Sequence, residues 1–452
     1  MKRLLILTGV FLLYANVLFP QLTGDGTSGN PYTGNVNSNI TWYPDGYSGG
    51  TIYASNITIL SGYSLTVSPG LYYGGHVQFT GTTTLSIQAN AAFIINPQTS
   101  VTVHRILNSG TLRLESASNE AGVASLLHRL YSGTGTVETK LYLSGGTSAG
   151  GAFKWHYIAV PIDNISAISF NTLNLAQYIE SLVTGGDNYP GWVAYDGYQY
   201  SSGLTLGNTF ATLNIGFGYN YYAAASTTFT FSGALNISDV EIPVTSGTGY
   251  PDYQGYNLIG NPFASCLDWD YIVDTYTPAY VYDAIYFTNN GTIASYVSGV
   301  GSNGGTGTIP PMQGFFVKAT SNSSIYLPTD ARTHNLDQLR YKKKSSEIVQ
   351  ASTDSISLVR LKLQGMADST DLVVRFNAKA TPSVDRTFDA YEFSRTSGDL
   401  NIWSTSEGVD YSINGLPFPE MKLEIPVGAN LKIPGTFRLS SKEINKLEIY
   451  NI

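Results

Sequence analysis

The sequence predicts an all-β protein, in which a β-solenoid-like N-terminal region is followed by two antiparallel β-sandwich domains. Three observations lead to this prediction. Charged residues make up only 12% of the 452 residues, whereas 33 tyrosines and 47 glycines are present, and this composition suits short strands joined by tight turns. Closely spaced apolar pairs recur in the first quarter of the chain. Longer stretches of apolar–polar alternation follow them.

Residues 1–20 are predicted to be an export signal. Lys2 and Arg3 precede an apolar run over residues 4–19, which has about the length of a signal peptide and is short for a membrane span. No second apolar run of this kind occurs, so we expect no transmembrane segment in the mature chain. Cys266 is the only cysteine, and it cannot form an internal disulfide.

Residues 21–115 are predicted to form the solenoid-like region. Two apolar residues separated by one position recur, mostly every eight residues, at Ile57/Ile59, Leu65/Val67, Val77/Phe79, Leu85/Ile87, Phe93/Ile95, Val101/Val103 and Leu112/Leu114. Each pair indicates a short strand with two side chains on one face, and stacked turns would bury a continuous apolar column. A meander of short antiparallel hairpins would bury the same residues and is the alternative.

Residues 116–331 are predicted to form the central sandwich. Alternating strands are expected at residues 137–143, 155–160, 227–231, 285–288 and 314–319, separated by turn signals. The only convincing helical candidate in this region is a short segment near residues 167–182.

A change in charge density predicts the next boundary. Residues 1–330 contain 8 Lys and Arg and 17 Asp and Glu, whereas the 122 residues that follow contain 16 and 15. The polar segment 332–348 has no apolar periodicity, so we predict a linker there. Residues 349–452 alternate cleanly between apolar and polar positions and are predicted to form the C-terminal sandwich.

Several motifs occur in a recognisable order. They are KWHYI at residues 154–158, GYNLIGNPFASCLDWD at 255–270, PMQGFFVKA at 311–319, VVRF at 373–376, AT at 380–381, FDA at 388–390 and SINGLP at 412–417. Together they resemble a family of secreted Bacteroidota proteins that are exported by the type IX secretion system, over roughly residues 125–452. The resemblance implies a location outside the cell or on its surface, export machinery as a partner, and no shared catalytic chemistry. Members usually end in a sorting domain, which this sequence does not show; if the chain ends at Ile452, a periplasmic location is expected.

The GNPF…DWD stretch also contains the most enzyme-like pattern. Asp268 and Asp270 lie two positions apart, so an extended backbone would point both carboxylates the same way, as calcium ligands or a glycosidase pair require. Glycosidase carboxylates, however, usually come from different strands across a cleft. We therefore interpret the stretch as a rigid corner, in which Asn261 and Asp268 cap turns and Phe263 fills the core. No catalytic residue and no cofactor is expected, and the two aspartates are the only metal candidates.

Surface recognition is the kind of function that the sequence favours. Exposed aromatic rings stack on sugar rings, and loops on a rigid β-scaffold commonly carry binding sites. The Gly- and Asp-containing segment 191–200 supplies the candidate ligand-binding residues Trp192, Tyr195, Tyr198 and Tyr200. The net charge of −8 argues against nucleic acid, because phosphate binding needs clustered Lys and Arg.

These observations predict an exported, non-enzymatic protein of the cell surface or the extracellular space. Its expected role is adhesion, glycan binding or structural scaffolding, with an extracellular glycan or surface component as a partner. A secreted polysaccharide-acting hydrolase is the alternative.

Overall fold

The structure of the protein is a computed structural model. It describes residues 21–70, 75–117, 122–146, 154–170, 174–183, 191–196, 210–247, 250, 252–289, 292–335, 356–366, 368–393, 400–420, 422–431 and 434–447. The predicted export signal therefore lies outside the described residues. The described part is all-β, as predicted, with a solenoid at its N-terminal end and further β-sheets after it.

The N-terminal region is a parallel β-solenoid of about four turns. One of its sheets contains β1 (Tyr32–Val36), β3 (Thr51–Ile59), β5 (His76–Phe79), β6 (Thr84–Ile87), β8 (Ser100–Asn108) and β10 (Ser125–Ser132). The other contains β2 (Ile40–Trp42), β4 (Ser64–Val67), β7 (Ala92–Ile95), β9 (Thr111–Leu114) and β11 (Thr136–Leu143). The ladders between these strands are parallel, which confirms the solenoid and makes the hairpin meander wrong.

Inward-facing residues at equivalent positions of successive turns stack on one another inside the solenoid. Leu65 pairs with Phe93, and Phe93 pairs with Leu112, so that three fully buried side chains form part of one apolar column. Side-chain amides join the turns at the corners: the backbone N–H of Ser64 donates to Asn39 Oδ1 at 2.9 Å. The eight-residue spacing in the sequence reflects this repetition of strand and corner.

The solenoid continues past the predicted boundary at residue 115. Strands β10 and β11 pair in parallel with β8 and β9 and complete the last turn. The sequence did not indicate this turn because residues 115–124 interrupt the eight-residue spacing. Strand β18 (Thr227–Ser232) then pairs antiparallel with β11 and joins the solenoid to the central region.

Two larger antiparallel sheets form the central region. The four-stranded sheet has the order β12 (Lys154–Ile158), β17 (Tyr219–Ala223), β14 (Leu175–Tyr178) and β15 (Trp192–Ala194). The five-stranded sheet has the order β20 (Tyr256–Gly260), β26 (Gly314–Ala319), β22 (Val281–Asn289), β23 (Thr292–Val297) and β24 (Val300–Ser302). Smaller ladders join β13 (Ile165–Ser166) to β16 (Thr212–Leu213), β19 (Val240–Val244) to β27 (Ser323–Leu327), and β21 (Cys266–Asp268) to both β25 (Thr308–Ile309) and β28 (Arg332–Thr333).

The helical prediction for residues 167–182 is wrong. That segment contains a 3-10 turn at Ala167–Ser169, strand β14 and a second 3-10 turn at Glu180–Leu182. Further 3-10 turns lie at Pro44–Gly46, Ser48–Gly50 and Thr329–Ala331, and the α-helix α1 spans Trp269–Tyr276. None of the helices in the described ranges is long and apolar enough to cross a membrane.

The C-terminal region is one seven-stranded sheet that packs on the five-stranded sheet. Its order is β34 (Val427–Leu431), β32 (Leu400–Ser406), β33 (Val409–Leu416), β30 (Ser369–Phe376), β29 (Ser357–Gln364) and β35 (Arg438–Asn445), and β31 (Ala390–Tyr391) also pairs with β33. Tyr286 and Phe316 of the five-stranded sheet share a buried cluster with Leu358, Val373 and Ile413 of the C-terminal sheet. The two sheets therefore form a sandwich with a common core.

Polar contacts also fix the C-terminal sheet against the central region. The buried Arg360 side chain donates to the carbonyl of Gly301 at 2.7 Å and pairs with Asp371 at 3.4 Å. The side-chain oxygen of Asn303 accepts a hydrogen bond from the backbone N–H of Asp371 at 2.8 Å. The Arg360–Asp371 pair lies within the C-terminal sheet, where it joins β29 to β30. The hydrogen bonds to Gly301 and Asn303 cross to the central region, and because breaking them would leave buried partners unsatisfied, they oppose separation of the two sheets.

The predicted linker begins later than residue 332. Arg332 and Thr333 form β28. The hydroxyl oxygen of Ser125 lies 2.7 Å from the ring nitrogen Nδ1 of His334. The segment is charged, so its sequence does not indicate that it packs against other strands. The remaining linker residues, from 336 to 348, lie outside the described residues.

Two adjacent isoleucines of β7 provide a matched test of the solenoid. Ile95 is fully buried in the column, whereas Ile94 on the opposite face is half-buried. We expect Ile95→Asp to lower the free energy of unfolding by roughly 4 kcal/mol or more, because it places an unpaired charge in the apolar column. Ile94→Asp should lower it by about 1 kcal/mol or less. Equal effects in urea denaturation would contradict the inward orientation of Ile95.

Candidate functional site

The Asn-Pro-Phe corner is held by one buried asparagine. Asn261 Nδ2 donates to the carbonyls of Ser265, Ile309 and Pro310 at 2.9, 3.1 and 3.0 Å. Its Oδ1 accepts the backbone N–H of Phe263 at 2.9 Å. All the polar atoms of this side chain are used to fix the backbone, which supports the interpretation of this stretch as a structural corner.

The two aspartates of the corner have separate structural contacts. Asp268 caps α1 by accepting the backbone N–H of Tyr271 at 3.1 Å. Asp270 accepts the phenolic O–H of Tyr296, and burial raises the pKa of its carboxyl group. Within the described ranges, no group of three or more His, Cys, Asp and Glu side chains is placed to hold a metal ion.

The aromatic residues of segment 191–200 do not form one patch in the described residues. Trp192 is half-buried on β15, and Tyr195 packs with Phe210 against the core on the solenoid side, with ring centroids 5.8 Å apart. Trp192 belongs instead to the core shared with the five-stranded sheet. Tyr198 and Tyr200 lie outside the described residues, and ligand binding by this set stays a prediction.

The four-stranded sheet presents an aromatic face on the side where Trp192 lies. Residues directly opposite each other in antiparallel strands point to the same side of a sheet. The pairs Trp155–Tyr222, Tyr157–Asn220 and Tyr178–Trp192 are opposite each other in this way. We call these six residues the aromatic face: Trp155, Tyr157, Tyr178, Trp192, Asn220 and Tyr222.

The inner end of the aromatic face is fixed by contact with the five-stranded sheet. Phe316 lies with its ring centroid 5.2 Å from Tyr157, 5.1 Å from Tyr178 and 6.0 Å from Trp192. The three contacts are edge-to-face, which is a favoured geometry for aromatic rings. The rings at this end are therefore held in place by the core.

The outer end of the aromatic face is accessible to solvent. Trp155 is 41% exposed, and its ring centroid lies 4.4 Å from that of the half-buried Tyr222, with the planes tilted by 39°. The pair sits on adjacent antiparallel strands rather than on a loop. A tryptophan supported by a tyrosine offers a rigid apolar surface of the kind that stacks on a ring-shaped ligand.

A buried amide lies on the same face, one pleat inward from the exposed pair. Asn220 is 1% exposed, and neither Nδ2 nor Oδ1 has a hydrogen-bond partner in the described part of the chain. The hydroxyl of Tyr178 likewise has none, and burial raises the pKa of this phenol well above its ordinary value. Unpaired buried polar groups are rare and unfavourable, so they indicate a place where a polar group of a ligand or water is accommodated.

Most of the aromatic face cannot be predicted from the sequence alone. The alternation in KWHYI and YNYYA indicates which residues share a side within each strand. It does not indicate that β12 and β17, separated by about sixty residues, are neighbours. The absence of partners for Asn220 depends on the strands on both sides of it, which no local pattern reveals.

This combination of parallel solenoid, central antiparallel sheets and C-terminal sheet defines an all-β protein with an aromatic surface. The chain belongs to the family described as Domain of unknown function (DUF8693), whose profile matches residues 46–448. The match extends from the first full turn of the solenoid to the end of the C-terminal sheet. Comparison with curated proteins and with solved structures found no match.

Asn261 provides the test of the structural corner. We expect Asn261→Ala to lower the free energy of unfolding by about 3 kcal/mol or more, because it removes the buried hydrogen bonds from this amide to three carbonyls and from the N–H of Phe263. Asn236 is a matched control, since it forms a similar but partly exposed turn with Ser238. Asn236→Ala should cost about 1 kcal/mol or less. A comparable loss in both variants would contradict the role given to Asn261.

Proposed function

We propose that the protein is an exported, non-enzymatic protein that binds an extracellular or cell-surface glycan through the aromatic face. The observation that carries this proposal is the exposed Trp155–Tyr222 pair beside the unpaired amide of Asn220. The apolar faces of sugar rings stack on aromatic side chains, and their hydroxyls can both donate to and accept from an amide. Adhesion to a glycan-coated surface is the role that follows.

The proposed location rests on the resemblance to secreted Bacteroidota proteins. Three of its motifs coincide with strands that build the centre of the structure, namely β12, β20 and β26. The shared residues are therefore those that position the aromatic face and its support. We infer a location at the cell surface or outside the cell, reached through export machinery of the type IX kind.

The structural use of the two corner aspartates supports binding over hydrolysis. A glycosidase needs one carboxyl group as acid and a second as base or nucleophile, facing each other across the substrate. Asp268 caps a helix, and Asp270 is bonded to Tyr296, so their contacts serve the fold. Neither belongs to the aromatic face.

Substitution at the exposed end of the aromatic face should weaken binding without unfolding the protein. A glycan array would first identify a glycan that the wild-type protein binds, and titration calorimetry would then measure its affinity. Trp155→Ala should weaken this affinity at least about tenfold, which corresponds to the loss of one stacking contact. Asn220→Leu should also weaken binding, yet it should leave the free protein as stable or more stable, since it removes an unpaired buried amide.

Tyr43 serves as the control residue, because it is 51% exposed and lies in the solenoid region. Tyr43→Ala should leave glycan binding unchanged. Failure of the wild-type protein to bind any glycan of a broad array would overturn the proposed function. Release of new reducing ends from a bound polysaccharide would instead favour the hydrolase alternative.

A further inference from the structure

A groove lies on the outer face of the C-terminal sheet, opposite the face that packs on the five-stranded sheet. Asn414 of β33 pairs with Val374 of β30, and Leu416 pairs with Phe376. Val374, Phe376 and Leu416 belong to a small buried cluster, and the partly buried Ile425 packs against it. The groove is therefore separate from the aromatic face.

The walls of the groove are apolar. It has a volume of about 310 Å3, at the lower end of the range for pockets that hold small ligands. Its apolar lining includes Pro382, Pro417, Pro419, Pro426, Phe418 and Leu423. Phe418 and Leu423 are 39% and 46% exposed, although both side chains are apolar. Proline has no backbone N–H, so these walls offer little hydrogen bonding to a ligand.

Asn414 supplies a free donor among these groove residues. Its side chain is 2% exposed, and Nδ2 has no hydrogen-bond partner in the described residues. The neighbouring hydroxyls are already engaged: Thr405 donates to Asp410 at 2.6 Å, and Ser406 donates to the carbonyl of Pro382 at 2.9 Å. A buried amide donor without a partner, in the lining of an apolar groove, indicates a ligand that brings a carbonyl acceptor.

The groove also favours a positive charge. Glu420 and Glu424 contribute to its lining, and none of the described residues that line it is Lys or Arg. Lys422 pairs with Glu424 at 2.5 Å, but the two side chains are 83% and 79% exposed, and a pair this exposed to water is weak. A ligand with a cationic group would therefore gain from the two carboxylates.

We infer that this groove binds a short, extended basic peptide in which apolar and cationic residues alternate. An extended backbone places alternate side chains on opposite sides, so apolar side chains meet the proline-rich walls while cationic ones reach the glutamates. A main-chain carbonyl of the peptide accepts from Asn414 Nδ2. The partner class is thus a cationic peptide segment, and the site is independent of glycan binding.

Titration of the full chain with an acetylated and amidated Lys-Leu-Lys-Leu-Lys peptide tests this inference. The peptide should bind the wild-type protein, and Asn414→Leu should weaken binding about tenfold, as expected for the loss of one hydrogen bond to a buried donor. The same variant should raise the midpoint of thermal unfolding of the free protein. A purely structural role for Asn414 would instead lower that midpoint.

Two controls separate the groove from general attraction to an acidic protein. Glu420→Gln with Glu424→Gln should weaken binding at least about fivefold. Asp274→Asn with Asp330→Asn removes two charges from exposed positions outside the groove and should have no effect. A Lys-Ser-Lys-Ser-Lys peptide should bind at least tenfold more weakly. The inference would be overturned if both peptides bound equally or if the two double variants had equal effects. It would also be overturned if the Lys-Leu-Lys-Leu-Lys peptide did not bind the wild type.

Discussion

Burial of the four-stranded sheet on both sides is the constraint on which the rest of the structure depends. On one side, Leu175, Tyr219 and Tyr221 join the apolar core that extends through the solenoid. On the other side, Tyr157 and Trp192 pack on Phe316 of the five-stranded sheet. The five-stranded sheet in turn shares its core with the C-terminal sheet. Because one thin sheet belongs to two cores, the solenoid and the sandwiches are parts of a single packed structure.

This arrangement explains why a binding surface is built on strands rather than on loops. The outer end of the aromatic face carries Trp155, which is 41% exposed. Its inner rings are held by the core, so little side-chain entropy remains to be lost when a ring-shaped ligand stacks there. The unpaired amide of Asn220 lowers the free energy of unfolding of the free protein. Such a loss of stability is typical of functional sites, where function and stability make opposing demands.

Sequence reasoning succeeded where the structure repeats locally and failed where it depends on distant strands. The solenoid could be predicted because pairs such as Phe93 and Ile95 alternate strictly and recur at a fixed spacing. Residues 167–182 have a helix-like pattern, yet Leu175 pairs with Tyr221 and Tyr178 with Trp192, so tertiary contacts override the local preference. The Asn261 corner was recognised from turn chemistry, whereas the aromatic face required knowledge of which strands are neighbours.

The central claim is that these parts form one cooperative body, and native-state hydrogen exchange tests it most directly. Amides in β7 of the solenoid, β17 of the four-stranded sheet and β30 of the C-terminal sheet would be followed in increasing denaturant by mass spectrometry. We predict that the three sets converge on one free energy of opening, because unfolding any one part exposes the core of the next. Exchange of β30 at a clearly lower denaturant concentration, while β7 and β17 stay protected, would contradict the claim.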